Sequence, residues 1–374
     1  MSEQRLNLRN HLTNMNRTIR NAAIAFVLVG VLGFAGCKKM NHDMEEDMGM
    51  NLNINYPAAF VVNGEDASVS VIDLNKNIVS ETISLMGNDG KMIMWPHHIY
   101  KSPVSNTLAI AVPGTDLSAG HAGGMMSMNG RLLILDSQKG TTVKDLELPA
   151  MNHNAVFSPD GKEIWTSQME EEGKILVYDA QTFNLKKVIN VGMEPAEVTF
   201  SANGTKAYVA NGGDDNVTVI NPVTKEKIAT ITVGDNPVAA WVGQDNRMYV
   251  DNEDGQSVSV IDVTTNSVIQ TIALGFMPGS VAHNALKNEL WVTDPDNGKV
   301  HYWTLGAANN SWVHGGAIST GAGAHATAFS KDGETAYITN QLAKSVSVIA
   351  ASSHTKIKDI PVGAKPNGII ITNN

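Results

Sequence analysis

The sequence predicts an all-β fold, a seven-bladed β-propeller in which the N-terminal and C-terminal strands share one blade. Three observations predict it. A unit of similar sequence recurs through most of the 374 residues. Each unit contains four short runs in which Val, Ile, Thr and Tyr alternate with polar residues, as in half-buried strands. The two ends of the chain supply complementary parts of one further unit.

The repeated unit is clearest in three segments that align along their whole length. They read AYVANGGDDNVTVINPVTKEKIATITVGDNP (207–237), MYVDNEDGQSVSVIDVTTNSVIQTIALGFMP (248–278) and AYITNQLAKSVSVIAASSHTKIKDIPVGAKP (336–366). Gly, Asn, Asp and Pro separate the runs, as tight turns require. One residue near the end of each first run marks the seven units, at Ser102, Ser158, Ser201, Gly243, Asn284, Ser330 and Thr372. Four strands repeated about every 40–45 residues are typical of a propeller blade.

The two ends of the repeat predict how the ring closes. The C-terminal PNGIIITN supplies only a first strand, whereas YPAAFVVN, SVSVIDL and SETISL near residue 55 supply a second, third and fourth strand. We expect these four strands to build one blade together, because an open array would leave two sheet edges unpaired. The repeat therefore predicts one domain rather than several.

The first 37 residues have the pattern of a secretory signal followed by an acylation site. Four Arg and one Glu precede the uncharged run AAIAFVLVGVLGFAG (22–36), which is short for a membrane span. FAGC, with Leu32 upstream, resembles the lipobox of bacterial lipoproteins, in which the signal is removed before the cysteine and lipid is attached there. The resemblance implies that Cys37, the single cysteine of the chain, is lipidated.

These observations divide the chain into a signal peptide (1–36), a flexible tether after Cys37 (37–54) and a propeller (55–374). The formal charge of −10 becomes −13 once residues 1–36 are removed, and so acidic a chain is not expected to bind nucleic acid. The expected partners are the membrane, through the lipid anchor, and a separate electron-transfer or envelope protein. We expect a monomeric propeller in the cell envelope, anchored at the outer membrane and facing the periplasm or the cell surface.

The repeat resembles the family of propellers named for a Tyr-Val-Thr-Asn motif, the YVTN repeats. The motif appears here as 337–340 (YITN), 208–211 (YVAN), 249–252 (YVDN), 291–294 (WVTD) and 60–63 (FVVN). The resemblance covers roughly residues 55–374 and implies the fold. Similar repeats occur in surface-layer proteins, lactonase-like propellers and the haem-binding propeller of nitrite reductase, and more distantly in the copper-binding propeller of nitrous oxide reductase, so the fold leaves the function open.

Histidines concentrate where the first strand of each blade begins, which is the strand that lines the central channel of a propeller. The first two positions of these strands hold His97, His98, His153 and His325, together with Glu197. The blades that carry them are the sixth, first, second and third, so they are nearly contiguous around the ring. We therefore predict one cluster of these residues at the channel mouth.

Methionines are predicted to lie near the same mouth. Met86, Met92, Met94, Met151, Met193 and Met277 precede first strands. The loop 113–130 between the second and third strands of the first blade is enlarged and faces the same side, and it carries His121, Met125, Met126 and Met128. His121 and the four channel histidines are the predicted metal ligands, and the predicted accessory residues are Glu197, Met94, Met125, Met126, Met128 and Met151.

Imidazole and thioether groups together suit copper, above all Cu(I), and imidazole is also the usual protein ligand of haem iron. The cofactor is therefore unknown, with copper and haem as candidates. An alternative needs no metal: Met fills gaps in packing, and a histidine after proline can cap a turn or bind channel water. His283, deeper in its strand, is not expected to join the cluster, and His301, His314 and His354 are expected in outer strands or loops.

The favoured function is a binding module without catalysis, whose His/Met face holds a ligand, a metal or a protein partner. The alternative is a redox protein that handles copper or haem, similar to the denitrification-type propellers. Against full enzyme status, the chain has no C-x-x-C-H haem motif and only one cysteine for a copper domain. The chain also contains no G-x-S-x-G, P-loop or H-E-x-x-H motif, and no catalytic residues are assigned.

Overall fold

The computed structural model describes residues 52–87, 90, 93–118, 129–307 and 310–372. Within them the chain forms 28 strands and one short 3-10 helix, Gly212–Asp214. The strands make seven four-stranded antiparallel sheets, each built from strands that follow one another in the chain except at the closure. The predicted all-β, seven-bladed propeller is confirmed.

The chain begins with three strands of the closing blade and continues with blades one to three. The strands of the closing blade are β1 (Ala58–Asn63), β2 (Ser68–Asp73) and β3 (Ile78–Ser84). Blade one contains β4 (Ile99–Lys101), β5 (Thr107–Val112), β6 (Arg131–Asp136) and β7 (Thr142–Glu147). Blade two contains β8 (Ala155–Phe157), β9 (Glu163–Gln168), β10 (Lys174–Asp179) and β11 (Leu185–Asn190). Blade three contains β12 (Pro195–Phe200), β13 (Ala207–Asn211), β14 (Asn216–Asn221) and β15 (Glu226–Thr232).

Blades four to six follow, and the last strand returns to the start. Blade four contains β16 (Pro237–Val242), β17 (Arg247–Asn252), β18 (Ser257–Asp262) and β19 (Ser267–Ala273). Blade five contains β20 (Val281–Asn284), β21 (Glu289–Asp294), β22 (Lys299–Leu305) and β23 (Trp312–Ser319). Blade six contains β24 (Ala324–Phe329), β25 (Thr335–Asn340), β26 (Ser345–Ala350) and β27 (Thr355–Pro361), and β28 (Pro366–Thr372) becomes the first strand of blade seven.

Burial falls from the middle of each blade to its outer edge. Every residue of β1 and β2 is buried, whereas β11 at the rim buries only one of its six residues. Both faces of the second and third strands pack against neighbouring blades, so in SVSVID (68–73) the serines are buried as well as the apolar residues. The fourth strands have one packed face and one solvated face, which explains their alternation of apolar and polar residues.

The ring closes as the ends of the repeat predict. β28 pairs antiparallel with β1, with Ala58 opposite Thr372 and Phe60 opposite Ile370. Gly64 N donates to Lys365 O at 2.8 Å, which extends the pairing beyond the strand end. Closure leaves β1 with a partner on both sides, so the second strand of this blade is not an edge strand.

The chain already contacts the propeller before β1. Leu52 N and Ile54 N donate to the main-chain oxygens of Lys139 and Gln138 at 3.0 and 2.9 Å, in the turn between β6 and β7. Ile54 is 1% exposed and belongs to the apolar cluster formed by residues of blades one and seven. Residues 1–36, Cys37 and the rest of the predicted tether up to residue 51 lie outside the described residues. Over the part of the chain that the structure describes, no helix is long and apolar enough to span a bilayer.

Candidate functional site

The inner strands bring five of the predicted site residues together at one end of the channel. His97 and His98 lie directly before β4, and His153 lies two residues before β8. Glu197 and His325 occupy the third position of β12 and the second position of β24. Since all these strands start from the same face of the ring, their first side chains converge on the axis.

Hydroxyl groups of the second strands hold the beginnings of these inner strands in place. Thr293 Oγ1, on β21, donates to the main-chain oxygen of His325 in the next blade at 2.6 Å. Ser167 Oγ, on β9, donates in the same way to Ala196 O at 2.5 Å, beside Glu197. These residues occupy equivalent third positions of the repeated motif, so in blades two and five a hydroxyl positions the start of the inner strand in the next blade.

Glu197 lies at the centre of the cluster and is fully buried. Its Oε1 is 2.9 Å from His153 Nδ1 and 3.1 Å from His98 Nε2. Its Oε2 accepts hydrogen bonds from Tyr100 Oη and Asn154 Nδ2, each at 3.2 Å. Asn154 is held by reciprocal bonds with the main chain of Val198, at 2.9 and 3.1 Å. Both carboxyl oxygens are therefore fixed by side chains from blades one and two.

Burial raises the pKa of Glu197 well above its usual value, and the nearby charge of Asp251 adds to the effect. The hydrogen bonds from Tyr100 and Asn154 oppose this shift but are the smaller causes. A negative charge at this position is therefore costly unless a positive charge accompanies it. A cation beside the imidazoles would supply that charge.

The four histidines form a compact layer across the channel. The ring centroid of His97 is 4.5 Å from that of His98, 4.6 Å from that of His153 and 5.4 Å from that of His325. His97, His98 and His153 are at most 4% exposed, whereas His325 is half-buried. The possible metal-ligating atoms of these histidines and Glu197 form two sets. One set contains His98, His153 and Glu197, and the other contains His97, His98 and His325. Within each set the ligand atoms lie within 4.8 Å of one another.

The histidine layer separates two cavities of the channel. On the mouth side, a cavity of about 190 Å³ is lined by His97, His325, Glu253, Asp296 and Met277, among others. On the other side, a cavity of about 310 Å³ extends from His98 past aromatic and aliphatic side chains to Lys331. His98 faces the second cavity and its two neighbours face the first, so the layer is reached from both ends of the channel.

The methionines named from the sequence lie in different surroundings. Met151 packs against Met169, Ala196 and Val238 in a small buried cluster at the same mouth. Met94 is 53% exposed, and Met86 and Met193 are also exposed. Met277 lines the mouth cavity with His97 and His325. The remaining candidates in this group, His121, Met92, Met125, Met126 and Met128, lie outside the described residues.

The other histidines among the described residues, His283, His301, His314 and His354, lie away from the layer, as expected from their positions in the repeat. His283 Nδ1 accepts a hydrogen bond from Gln244 N at 3.1 Å, and its ring contacts Tyr249 and Trp312. His301 and His314 pair on the outer strands of blade five, with ring nitrogens 3.2 Å apart. His354 lies in the turn before β27 and stacks on Tyr302 at a centroid distance of 3.7 Å.

Tyr100 and Asp251 lie near the site but were not predicted from the sequence, although the sequence position of each indicates its place. Tyr100 is two positions after His98 and therefore points to the same side of its strand. Asp251 occupies the third position of the motif, where its counterparts are uncharged, and it is 1% exposed. Its Oδ1 accepts from Ala239 N at 2.9 Å and from Trp241 Nε1 at 3.0 Å, and the Trp241 ring lies 6.1 Å from His98.

No protein-family model and no curated protein matches this sequence. Solved structures match the fold. The periplasmic gluconolactonase PpgL of Pseudomonas aeruginosa superposes with a TM-score of 0.68 at 17% identity, over 84% of this chain and 99% of that one. Hydrazine synthase of Kuenenia stuttgartiensis gives 0.61 at 16% identity, over 75% of this chain and 95% of that one. The dihydro-heme d1 dehydrogenase NirN, solved in complex with DHE, gives 0.60 at 14% identity, over 86% of this chain and 75% of that one.

These neighbours are distant, and at such identities they establish the seven-bladed propeller fold alone. Their names describe a lactonase, a synthase and a dehydrogenase, which are three different kinds of reaction. The function of this chain therefore has to be argued from its own channel residues.

Proposed function

We propose that this protein is an extracytoplasmic metal-binding module that holds a divalent transition-metal ion at the histidine layer of its channel. The observation that carries the proposal is the buried set His98, His153 and Glu197, whose ligand atoms face one another within 4.8 Å. No catalytic step is assigned to the site. The module fits a role in holding or passing on an ion, with any chemistry on that ion shared with a separate protein.

The spacing of these atoms matches that of ligands around one ion. Two ligand atoms that each lie about 2.1 Å from a metal are about 3.0–3.4 Å apart in octahedral or tetrahedral geometry. Glu197 Oε1 is 2.9 Å from His153 Nδ1 and 3.1 Å from His98 Nε2. Small side-chain movements therefore suffice for these three atoms to bind the same ion.

The donor set favours a divalent ion of intermediate softness. Among the described residues, the buried donors that converge are imidazole nitrogens and a carboxylate oxygen, which suit Cu²⁺, Zn²⁺ or Fe²⁺. A preference for Cu(I) would need thioether donors, and neither of the two sets of converging ligand atoms includes one, although Met277 lines the mouth cavity with His97 and His325. The described site thus supports an ion bound through nitrogen and oxygen.

An ion also fits the available space better than haem. The histidine layer fills the channel between cavities of about 190 and 310 Å³. Ligand pockets for larger organic molecules are roughly 300–1,000 Å³, so the mouth cavity lies below this range and the other cavity is at its lower limit. A macrocycle would have to displace the layer itself, whereas an ion binds between side chains that are already adjacent.

We further propose that the module belongs to the YVTN-type lipoproteins and is attached to a membrane through lipid on Cys37. The N-terminal pattern of arginines, the uncharged run 22–36 and FAGC support this. One structural neighbour is named a periplasmic enzyme, which is consistent with an extracytoplasmic site of action. An outer-membrane anchor facing the periplasm or the cell surface fits the acidic mature chain.

Metal binding to the full chain tests the proposed function. The purified protein is stripped of metal, and Cu²⁺ or Zn²⁺ is titrated in separately by calorimetry and by equilibrium dialysis. We expect at least one ion per chain. His153→Ala should weaken binding of that ion by more than about 100-fold, since loss of a mere supporting residue already costs roughly 10–100-fold.

The matched control is His354→Ala, because His354 lies on the outer rim and contacts Glu289 at 3.0 Å. It should bind metal as the unmodified chain does. Absence of binding at micromolar metal, or equal losses in both variants, would show that the histidines are a hydrogen-bonded structural layer.

A further inference from the structure

The described metal-ligating side chains of the channel form two sets rather than one. The first contains His98, His153 and Glu197, and the second contains His97, His98 and His325. His98 is the member common to both. A single ion bound by all five residues would need their ligand atoms in one group, and the structure instead gives two overlapping sets that share His98.

We propose that the channel holds two metal ions bridged by the imidazole of His98. The proposal rests on the proposed function and extends it. The two nitrogens of an imidazole point in different directions, so one ring can bind two ions. Nε2 of His98 lies on the Glu197 side at 3.1 Å, and the same ring lies 4.5 Å from His97 and 5.8 Å from His325 between centroids.

The bridging ring and Glu197 together offset part of the charge of the two ions. When both ring nitrogens of His98 bind metal, its remaining N–H proton passes to solvent and the ring becomes an anion. Glu253 and Asp296 line the mouth cavity next to the outer set, where their negative charges favour cations. The local charge therefore rises by less than the four units that two divalent ions carry.

The two ions differ in their access to solvent. The inner set is the more deeply buried of the two, with Glu197 at 0% and His98 and His153 at 4% and 2% exposure, and its member His98 also borders the cavity of about 310 Å³. The outer set includes the half-buried His325 and opens to the mouth cavity of about 190 Å³. The inner ion is thus held structurally, and the outer ion keeps a position for water or another small ligand with a lone pair.

Copper titration of the full chain tests this arrangement. The metal-free protein is titrated with Cu²⁺ alone, bound copper is counted, and the electron paramagnetic resonance signal is integrated at each step. We expect two ions per chain. The integrated signal should grow with the first ion and fall well below the copper content with the second, because spins bridged by an imidazolate couple antiferromagnetically.

Single-set variants separate the two ions. His325→Ala should remove only the outer ion and Glu197→Gln only the inner one. Each variant then binds one copper with full signal, while His98→Ala lowers the affinity for both ions. The control is His283→Asn, which alters a histidine of another first strand outside both sets and should leave two coupled ions. Circular dichroism verifies each fold, and His325→Gln replaces a variant that unfolds.

Two results overturn the bridged pair while leaving the proposed function intact. One is a single copper per chain in the unmodified protein, and the other is two coppers whose integrated signal equals the copper content. Binding of no copper at all overturns the proposed function as well. The three failures are therefore distinguishable in one titration.

Discussion

At the scale of the residue, the channel wall contains an ionisable side chain, Asp251, at a motif position that is uncharged in the other blades. Asp251 stands where the motif of blade five has Thr293 and that of blade six has Thr339, and those two hydroxyls hold neighbouring main-chain oxygens. Asp251 instead accepts hydrogen bonds from Ala239 N and Trp241 Nε1. Burial raises its pKa to about 7, with a further contribution from the charge of Glu253. The substitution thus places a second buried carboxyl beside Glu197.

Asp251→Asn should reduce the pH dependence of stability. In the folded chain the Asp251 carboxyl keeps its proton up to about pH 7. In the unfolded chain it loses the proton at about pH 4. The contribution of this proton to the free energy of unfolding is therefore fully present below about pH 4. It is lost as the pH rises towards 7, by roughly 4 kcal/mol in total. Asn retains an oxygen acceptor for both donors and does not titrate. Urea unfolding between pH 4 and pH 8 measures the slope of the free energy of unfolding against pH.

The control for this slope is Glu226→Gln, which changes an exposed carboxyl on β15. It should reproduce the pH dependence of the unmodified protein. If Asp251→Asn shows the same slope as this control, the buried carboxyl does not hold its proton in the folded state.

At the scale of the strand, the asparagine that ends the YVTN motif in blades three, four, six and seven joins the second strand to the third through side-chain hydrogen bonds. In blade four, Asn252 Nδ2 donates to Ser257 Oγ and Ser259 Oγ on β18 at 3.0 and 3.1 Å. Its Oδ1 accepts from Gly234 N at 3.1 Å, in the loop that enters the blade. A Cβ on Gly234 would lie 2.7 Å from the Asn252 side chain, so glycine is required for this approach. The motif therefore ties the second strand to the third and to the incoming chain.

Asn252→Ala should destabilise the protein by about 3 kcal/mol, because it leaves several buried polar groups without partners. Asn63→Ala in blade seven is the matched comparison. Asn63 Nδ2 donates to Ser68 Oγ and Ser70 Oγ, but its Oδ1 accepts no hydrogen bond from any described residue. Its replacement should cost about 1 kcal/mol less. Denaturant unfolding compares the two, and equal costs would show that the bond from Gly234 contributes nothing.

At the scale of the whole molecule, closure of the ring makes the propeller one cooperative unit. The pairing of β28 with β1 joins segments from opposite ends of the repeat. Residues that line the site come from blades one, two, three and six, so none of these blades forms the site alone. Contacts between such distant parts of the chain are slow to form, and we expect the channel site to appear only late in folding.

Under the proposed function, attachment of the whole protein to a membrane depends on lipid at Cys37. Lipid on the cysteine anchors the chain by burying acyl methylenes, each worth about 0.8 kcal/mol. Chain isolated from membranes of cells fed labelled palmitate should carry the label and begin at residue 37. Cys37→Ala should abolish the label and leave the residues before position 37 attached. An unlabelled mature chain that begins elsewhere would contradict lipidation and leave the propeller itself unaffected.

Much of the fold was predictable from the sequence because its determinants are local. Alternation within YVDN or SVSVID sets the strands, the turn residues set their joins, and the recurring unit sets the number of blades and the closing strands. The position of His97, His98, His153, Glu197 and His325 at the starts of first strands followed from counting along the repeat. These inferences need only the period of a strand and the regularity of the repeat.

The arrangement within the site depended on the tertiary structure. Only the curvature of the ring places Glu197 against His98 and His153, sets His325 beside His97, and divides the ligands into two sets around His98. Burial, which raises the pKa of Glu197 and Asp251, is likewise a property of the assembled channel. The sequence by itself determined which blade carries each side chain. The distances between side chains of different blades were decided by packing across the channel axis. The strand period and the repeat length describe positions along the chain and do not give these distances.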